Sequence, residues 1–317
     1  MKIAFILPYF GEFPNYFKLY LKSCEFNKDY DWIIITDDKS KYNFPKNVKV
    51  IYETFEQLKK RISDKFDFDI KLDRPHKLCD FKPAYGYIFE DILKGYDFWG
   101  HCDPDCIFGN LSAFITSDLL TNDKIFTLGH MTLYRNKKEI NMMFKEKINS
   151  KDRYKEVFTN NRGYAFDEQY NESINNIFES KNIKFYKKSL CADIDPYNSN
   201  MRLTIYDLQR KKYYLEDINK QIFYWRNGCL FRKYIKNNKL VKEEFLYIHL
   251  QKRAMKIEAN IENNESFVIG NNKFKALKEE ITSDNFDKYY SKSYINIQYF
   301  KTKLNSLKYR INLMFSN

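Results

Sequence analysis

The chain has 317 residues, 44% of them hydrophobic and 18% aromatic, which is enough apolar surface for one large α/β domain and excludes a disordered chain. Its formal charge of +12 invites an anionic partner, yet no zinc-finger or RNA-recognition signature accompanies the charge, and no nucleic acid is expected. No apolar run approaches the roughly 18 to 20 residues of a membrane-spanning helix, and the run Ile3 to Leu7 stops at Pro8, Gly11 and Glu12; with six cysteines in no zinc-like spacing, the expected setting is the cytoplasm with reduced thiols.

In chain order, residues 2–7 predict a buried strand and residues 15–26 a helix, with Phe17, Tyr20, Leu21 and Cys24 at helical spacing. Residues 31–36 predict a second strand ending at Asp37 and Asp38, and strand, helix, strand at this separation implies a parallel βαβ unit. A third strand is expected over 48–52, a helix over 54–66, and another helix beginning near Pro83 through Tyr85, Ile88, Phe89, Ile92 and Leu93. A strand then leads into Asp103. Beyond it come an expected helix over 111–120, a strand over 124–128 and the start of a helix at 140–144. Residues 221–232 form two β-prone runs joined by Asn227-Gly228, a strong hairpin signal, so part of the second half is expected to be antiparallel.

Asp103-Pro104-Asp105 is the most informative motif. Phe98 and Trp99 before it, and Ile107 and Phe108 after it, predict a buried backbone that delivers two carboxylates to a crevice. Buried charges need a partner, and a hard divalent cation is an economical one. Two carboxylates without clustered histidines suit magnesium or manganese better than a soft-ligand metal. The alternative, two solvated loop aspartates, stays open at this point.

Several segments in order resemble a known group: residues 2–11, 32–38, 77–85 (Lys77, Asp80, Lys82), the Asp103-Pro104-Asp105 stretch, and 244–253 (His249, Lys252, Arg253). Together they are similar to an uncharacterised bacterial family of A-type-fold (GT-A, Asp-x-Asp) glycosyltransferases from polysaccharide gene clusters. The resemblance implies a mostly parallel central sheet flanked by helices, a catalytic domain over 1–260, and a nucleotide-sugar donor, UDP-linked as in metal-using relatives of this fold. It implies that Pro8, Tyr9, Phe10 and Gly11 cradle the nucleotide, and that Asp37 or Asp38 hydrogen-bonds the base or ribose, a solvated turn being the equal alternative. Lys77, Asp80 and Lys82 would face the diphosphate or the sugar. Asp103, Asp105 and His249 would hold Mn2+ or Mg2+, with Asp103 also touching the donor, and Lys252 and Arg253 would neutralise the departing diphosphate.

The acceptor would be a saccharide, free or lipid-linked, of a capsule or lipopolysaccharide. Asp167 and Glu168 stand where such folds often carry an acidic catalytic residue, and an inverting reaction needs a carboxylate to take the acceptor's proton. Capping a helix N-terminus is their other reading. His130 and Arg135 are expected near the donor sugar or acceptor.

Residues 261–317 are read as a helical, basic C-terminal region. Ile297, Phe300, Leu304, Leu307, Ile311 and Met314 fall on one helical face, surrounded by Lys301, Lys303, Lys308 and Arg310. Such a helix suits peripheral contact with an anionic membrane, packing on the protein, or self-association. Two other classes compete with the transferase. A non-catalytic basic membrane- or polyanion-binding protein leaves the carboxylates without a purpose, and an Asp-x-Asp phosphohydrolase fits poorly because Cys106 and Ile107 follow the second aspartate.

Overall fold

The continuous apolar run at the N-terminus forms strand β1 (Ile3–Pro8), buried on both faces. A computed structural model gives the architecture and describes residues 1–168, 170–251, 253–290, 300, 303–304 and 307–308. Tertiary contacts divide the chain into two compact units: Met1–Cys106 with Leu111–Ser189, and Ile107–Asn110 with Leu190–Asn317.

In the first unit, helix α1 (Phe17–Glu25) returns the chain to strand β2 (Tyr30–Thr36), which runs parallel to β1. Strand β3 (Val48–Tyr52) extends the sheet in parallel, and helix α2 (Phe55–Ser63) follows. Thr54 and Gln57 start α2 with a reciprocal capping box: the Gln57 amide donates to Thr54 Oγ1 at 3.2 Å and the Thr54 amide to Gln57 Oε1 at 2.7 Å. Strand β4 (Phe98–Cys102) is buried throughout and lies parallel to β1 on its other side.

Strand β5 (Cys106–Phe108) carries the chain into the second unit. Strands β6 (Lys124–Ile125), β7 (Met131–Arg135) and β8 (Phe185–Tyr186) complete the first unit's sheet, whose order is β3-β2-β1-β4-β7-β6-β8. Only β7 runs against its neighbours, so the sheet is mostly parallel, as the alternating pattern predicts. Helices and loops rich in phenylalanine and tyrosine cover one face, where Trp99 stacks on Tyr134 and Phe81 on Phe158.

Helical expectations fare less well where polar or proline residues compete. The helix expected near Pro83 is a series of short turns, Pro75–Lys77, Leu78–Phe81, Lys82–Ala84 and Tyr85–Ile88. Pro83 lacks an amide and cannot continue a ladder, and Lys77, Asp80 and Lys82 are drawn inward. The helix expected over 111–120 is one turn, Leu111–Phe114, followed by a 3-10 turn at Leu119–Thr121, where Thr116 Oγ1 accepts the Leu119 amide. The strand expected over 124–128 ends at Ile125 because Phe126 adopts φ +72° and turns off the sheet. At 140–144 there are two short turns, Lys138–Asn141 and Met143–Lys145.

The second unit contains strands β9 (Ala192–Asp193), β10 (Thr204–Asp207), β11 (Lys212–Leu215), β12 (Gln221–Arg226), β13 (Cys229–Lys236), β14 (Lys239–Phe245), β15 (Tyr247–His249), β16 (Lys256–Ile257), β17 (Ser266–Ile269) and β18 (Lys273–Ala276). The predicted hairpin joins β12 to β13, with φ positive at both Asn227 (49°) and Gly228 (82°), as a tight primed turn requires. Asn237 and Asn238 repeat the device between β13 and β14. The six-stranded sheet has the order β14-β13-β12-β17-β18-β16, so it runs across residue 260, where the sequence reading ends its catalytic region. A smaller sheet has the order β5-β15-β9. Of the apolar stripe near the C-terminus, Phe300, Leu304 and Leu307 are helical and largely exposed; Ile297, Lys301, Arg310, Ile311 and Met314 lie outside the described residues. No helix among the described residues is long and apolar enough to cross a membrane.

Gly100 is where β4 and β7 meet most tightly: a Cβ there would stand 2.5 Å from the Thr132 carbonyl oxygen and 2.7 Å from Leu133 Cδ2. Because a backbone carbonyl cannot swing away, Gly100→Ala is expected to destabilise the protein by on the order of 3 kcal/mol in chemical denaturation. A loss within about 0.5 kcal/mol, the range of an ordinary surface change, would show that this approach is not required.

Candidate functional site

Because β1, β2 and β4 are parallel, the loops that follow them leave the same end of the sheet. That end is where open α/β sheets bind ligands. The loop after β1 turns at Gly11 (φ +89°), whose amide donates to Asp37 Oδ1 at 2.8 Å. The Phe13 amide reaches Asp38 Oδ2 at 3.4 Å, and the Ser40 amide donates to Asp38 Oδ1 at 2.8 Å. Asp37 and Asp38 therefore brace the Pro8 to Gly11 turn. Tyr9 is half-buried in this loop, stacked on Phe13, with its hydroxyl donating to Glu12 O. Burial and then the charges of Asp105 and Asp103 raise its pKa. Phe10 packs edge-on against Phe55 of α2.

Asp103 and Asp105 follow β4 directly. The Asp103 amide donates to His130 O at 3.1 Å and the Cys106 amide to Asp103 O at 3.3 Å, closing a turn around Pro104. Asp105 is buried, whereas the Asp103 side chain keeps 28% of its surface in solvent. The flanking thiols are inert. Burial first, and then neighbouring negative charge, raises the pKa of Cys106 well above the ordinary value; burial pushes Cys102, whose sulfur lies 3.3 Å from the Tyr20 hydroxyl, up to about 12. His101, fully buried one residue before Cys102, is pushed well below its usual pKa by burial and then by the Lys82 charge.

Lys82 organises the carboxylates. Its ammonium donates to Asp103 Oδ1 at 2.7 Å and to Gly129 O at 2.8 Å, and stands 3.6 Å from Asp167 Oδ2. Burial opposes its charge, but Asp103, Cys79 and Asp167 more than offset that, and its pKa is held well above the ordinary lysine value. Asp167 is itself buried, and its carboxyl is raised to about 8. Desolvation is the largest cause, Lys82 opposes it, and Glu168, Asp103 and Asp80 reinforce it. Glu168 is differently employed, because its Oε2 accepts the Gly129 amide at 3.0 Å. Gly129 makes this approach feasible: a Cβ there would lie 2.3 Å from Asp167 Oδ2 and 3.1 Å from Glu168 Oε2. Sequence reasoning passed over Gly129, although a glycine beside a histidine after a short strand was its only signal.

Other expected ligand contacts resolve into scaffolding. Lys77 and Asp80 form a buried ion pair at 2.8 Å, and the Lys77 ammonium also donates to Val157 O and Arg162 O. Asp80 accepts the Tyr164 and Phe166 amides. The pair pins the segment that leads to Asp167, and its polar atoms bond within the protein. Arg135 is also scaffolding: it binds Asp123, Leu120 O and Asn122 O, and pairs with Phe98 at the end of β4 away from Asp103.

In the second unit, His249 ends β15 beside Asp193 of β9. His249 Nδ1 lies 2.8 Å from Asp193 Oδ1, which also accepts Gln251 Nε2 at 2.9 Å. With a neutral imidazole, this bond assigns the proton to Nδ1 and the lone pair to Nε2, the orientation a metal-binding histidine takes from a supporting carboxylate. Asp193-Ile194-Asp195-Pro196 is a second Asp-x-Asp that the sequence reading missed. Arg253 is engaged within the second unit. Its guanidinium is buried and donates to the carbonyls of Ser199, Asn271, Asp195 and Asn198, clamping that loop, and burial lowers its pKa to about 10. Lys252 lies outside the described residues.

In the first unit the two carboxylates of the Asp103-Pro104-Asp105 turn suit a hard divalent cation, and in the second the His249 to Asp193 bond is the support that a metal-binding imidazole requires. No curated protein matches the chain by sequence. Among solved structures, a galactosyltransferase LgtC in complex with donor and acceptor sugar analogues matches with a TM-score of 0.37 and 10% identity, over 62% of this chain and 77% of that one. An active-site mutant of LgtC matches with a TM-score of 0.36 and 12% identity, over 62% and 76%. The model of a family of unknown function, DUF6625, matches residues 5–278, and the chain belongs to that family.

Proposed function

We propose that the protein is a glycosyltransferase of the A-type fold, moving a sugar from a UDP-sugar to a saccharide acceptor of a bacterial surface polysaccharide. The observation that carries this reading is the Lys82, Asp103 and Asp167 cluster at the carboxyl end of a mostly parallel sheet. Asp103 and Asp105 are the residues of the first unit proposed to hold Mn2+ or Mg2+, and His249, oriented by Asp193, is proposed as a metal ligand of the second. A bound divalent cation would neutralise the negative charge that develops on a departing diphosphate.

The chain's own groups take the remaining work. The Tyr9 to Gly11 loop, braced by Asp37, is placed to receive the nucleotide, and its exposed Gly11 permits close backbone approach. Lys82 fixes the Asp103 carboxylate and keeps its positive charge at the site across the physiological range. Asp167 is the proposed acceptor of the acceptor hydroxyl's proton, since its raised pKa makes it a stronger base than an ordinary carboxylate. Glu168 anchors that segment through Gly129.

Calorimetric titration with UDP, GDP and CDP, each with and without manganese, tests the central claim. Manganese-dependent binding of UDP is expected, weakened at least tenfold in Asp105→Asn. Equal binding by wild type and variant, or no binding of any nucleotide, would sink the reading.

Asp167 supplies a second test. Its folded pKa lies above the ordinary carboxyl value, so its contribution to stability is fully present below about pH 4 and is lost as the pH rises towards about 8. Asp167→Asn mimics the neutral acid, and its melting temperature is expected to gain on wild type between pH 5 and about 8 and to level off above that. Turnover of a UDP-sugar by wild type is expected to rise with pH up to about 8 and to lose that limb in the variant. A wild-type profile flat from pH 6 to 9 would remove Asp167 as the proton acceptor. Gly129→Ala, which drives a Cβ into both carboxylates, is expected to lower turnover at least tenfold.

A further inference from the structure

One buried cation of the first unit has no part in the transferase reading. Lys124, in β6, is fully buried. Its ammonium donates to Phe126 O at 2.5 Å and to Asn175 Oδ1 at 2.8 Å, and lies 4.1 Å from the centroid of the Phe185 ring. Desolvation pushes its pKa well below the ordinary lysine value. Among the described residues no carboxylate pairs with it directly, so its burial is expensive and calls for a structural reason.

The reason lies in what its two partners hold. Phe126 has φ +72°, a conformation that a bulky side chain disfavours and that persists only where the surroundings enforce it. Lys124 enforces it by binding the Phe126 carbonyl. Asn175, fully buried in the helix Ile174–Ser180, donates from the same amide nitrogen to Thr127 O at 2.9 Å and to Glu168 O at 2.7 Å. One side chain thus ties the segment that leads to Gly129 to the segment that carries Asp167 and Glu168. The Gly129 amide then closes the ring on Glu168 Oε2, and the Gly129 carbonyl accepts from Lys82.

We infer that Lys124 and Asn175 are positioning residues, a buried polar clamp that holds the Phe126 to Gly129 segment against Asp167 and Glu168 and so sets where the Asp167 carboxylate stands relative to Lys82. Apolar side chains of similar size would fill the space without specifying which carbonyl points where. The clamp is a property of the fold; its consequence for turnover rests on the transferase reading.

The test uses the full chain with two substitutions. Asn175→Asp keeps an acceptor for Lys124 but removes both donors to the carbonyls, and Lys124→Met keeps the length of the side chain without the ammonium. Hydrogen exchange at the Gly129 amide is expected to quicken about tenfold in each, while amides of β1 and β2 keep their wild-type rates. Binding of UDP with manganese is expected to stay within twofold of wild type. Hydrolysis of UDP-glucose or UDP-galactose, whichever wild type turns over, is expected to slow at least tenfold, with the alkaline limb near pH 8 displaced. Unchanged exchange at Gly129 in folded Asn175→Asp overturns the clamp, as does equal acceleration at every core amide. Quicker exchange at Gly129 in variants of a wild type that turns over no UDP-sugar supports the clamp and counts against the transferase reading alone.

Discussion

A single buried ammonium, that of Lys82, sets the electrostatics of the first unit. It is surrounded by Asp103, Asp167 and the Gly129 carbonyl, and after burial its charge is the next largest influence on His101 and Asp167. It adds to the burial that keeps His101 neutral, opposes the upward drift of Asp167, and holds its own proton because the neighbouring negative groups outweigh its desolvation. Without that charge, Asp167 would hold its proton to a still higher pH, because desolvation and the neighbouring carboxylates would act on it unopposed.

The sheet makes this arrangement possible. Parallel β1, β2 and β4 send their following loops to one end, and the antiparallel β7 brings Gly129 and His130, which precede it, to the same end of β4 as Asp103. Register does the placing: Cys102 pairs with Met131, so Asp103 emerges level with His130, whose carbonyl takes its amide. The short turns from Pro75 to Ile88 then point Lys77, Asp80 and Lys82 inward, the first two to the segment before Asp167 and Lys82 to Asp103 and Gly129.

Much of this was legible in the sequence, and the reasons differ by element. The strands around Ile3 to Leu7 and Trp32 to Ile35 are continuous apolar runs, and Phe98 to Cys102 is one broken only by His101, as a buried parallel sheet demands, and Asn227-Gly228 fixes its own turn by φ alone. Asp103 and Asp105 could be found because such a run ends on them. The roles of Lys77, Asp80 and Arg253 could not, because only the folded backbone reveals the carbonyls and amides that engage them. Gly129 and Asn175 were equally hidden, since their importance lies in what approaches them and not in their residue type.

The inert thiols beside the carboxylates carry a consequence of their own. Cys102 and Cys106 bracket the Asp-Pro-Asp turn, and either could have turned it into a thiolate trap for zinc or cadmium. Burial keeps both sulfurs protonated at any cellular pH. A divalent ion at the proposed site would therefore meet oxygen, not sulfur, from this turn, which would disfavour soft metals. The same suppression denies peroxide its thiolate target, so oxidative stress has no foothold at the two cysteines nearest the site.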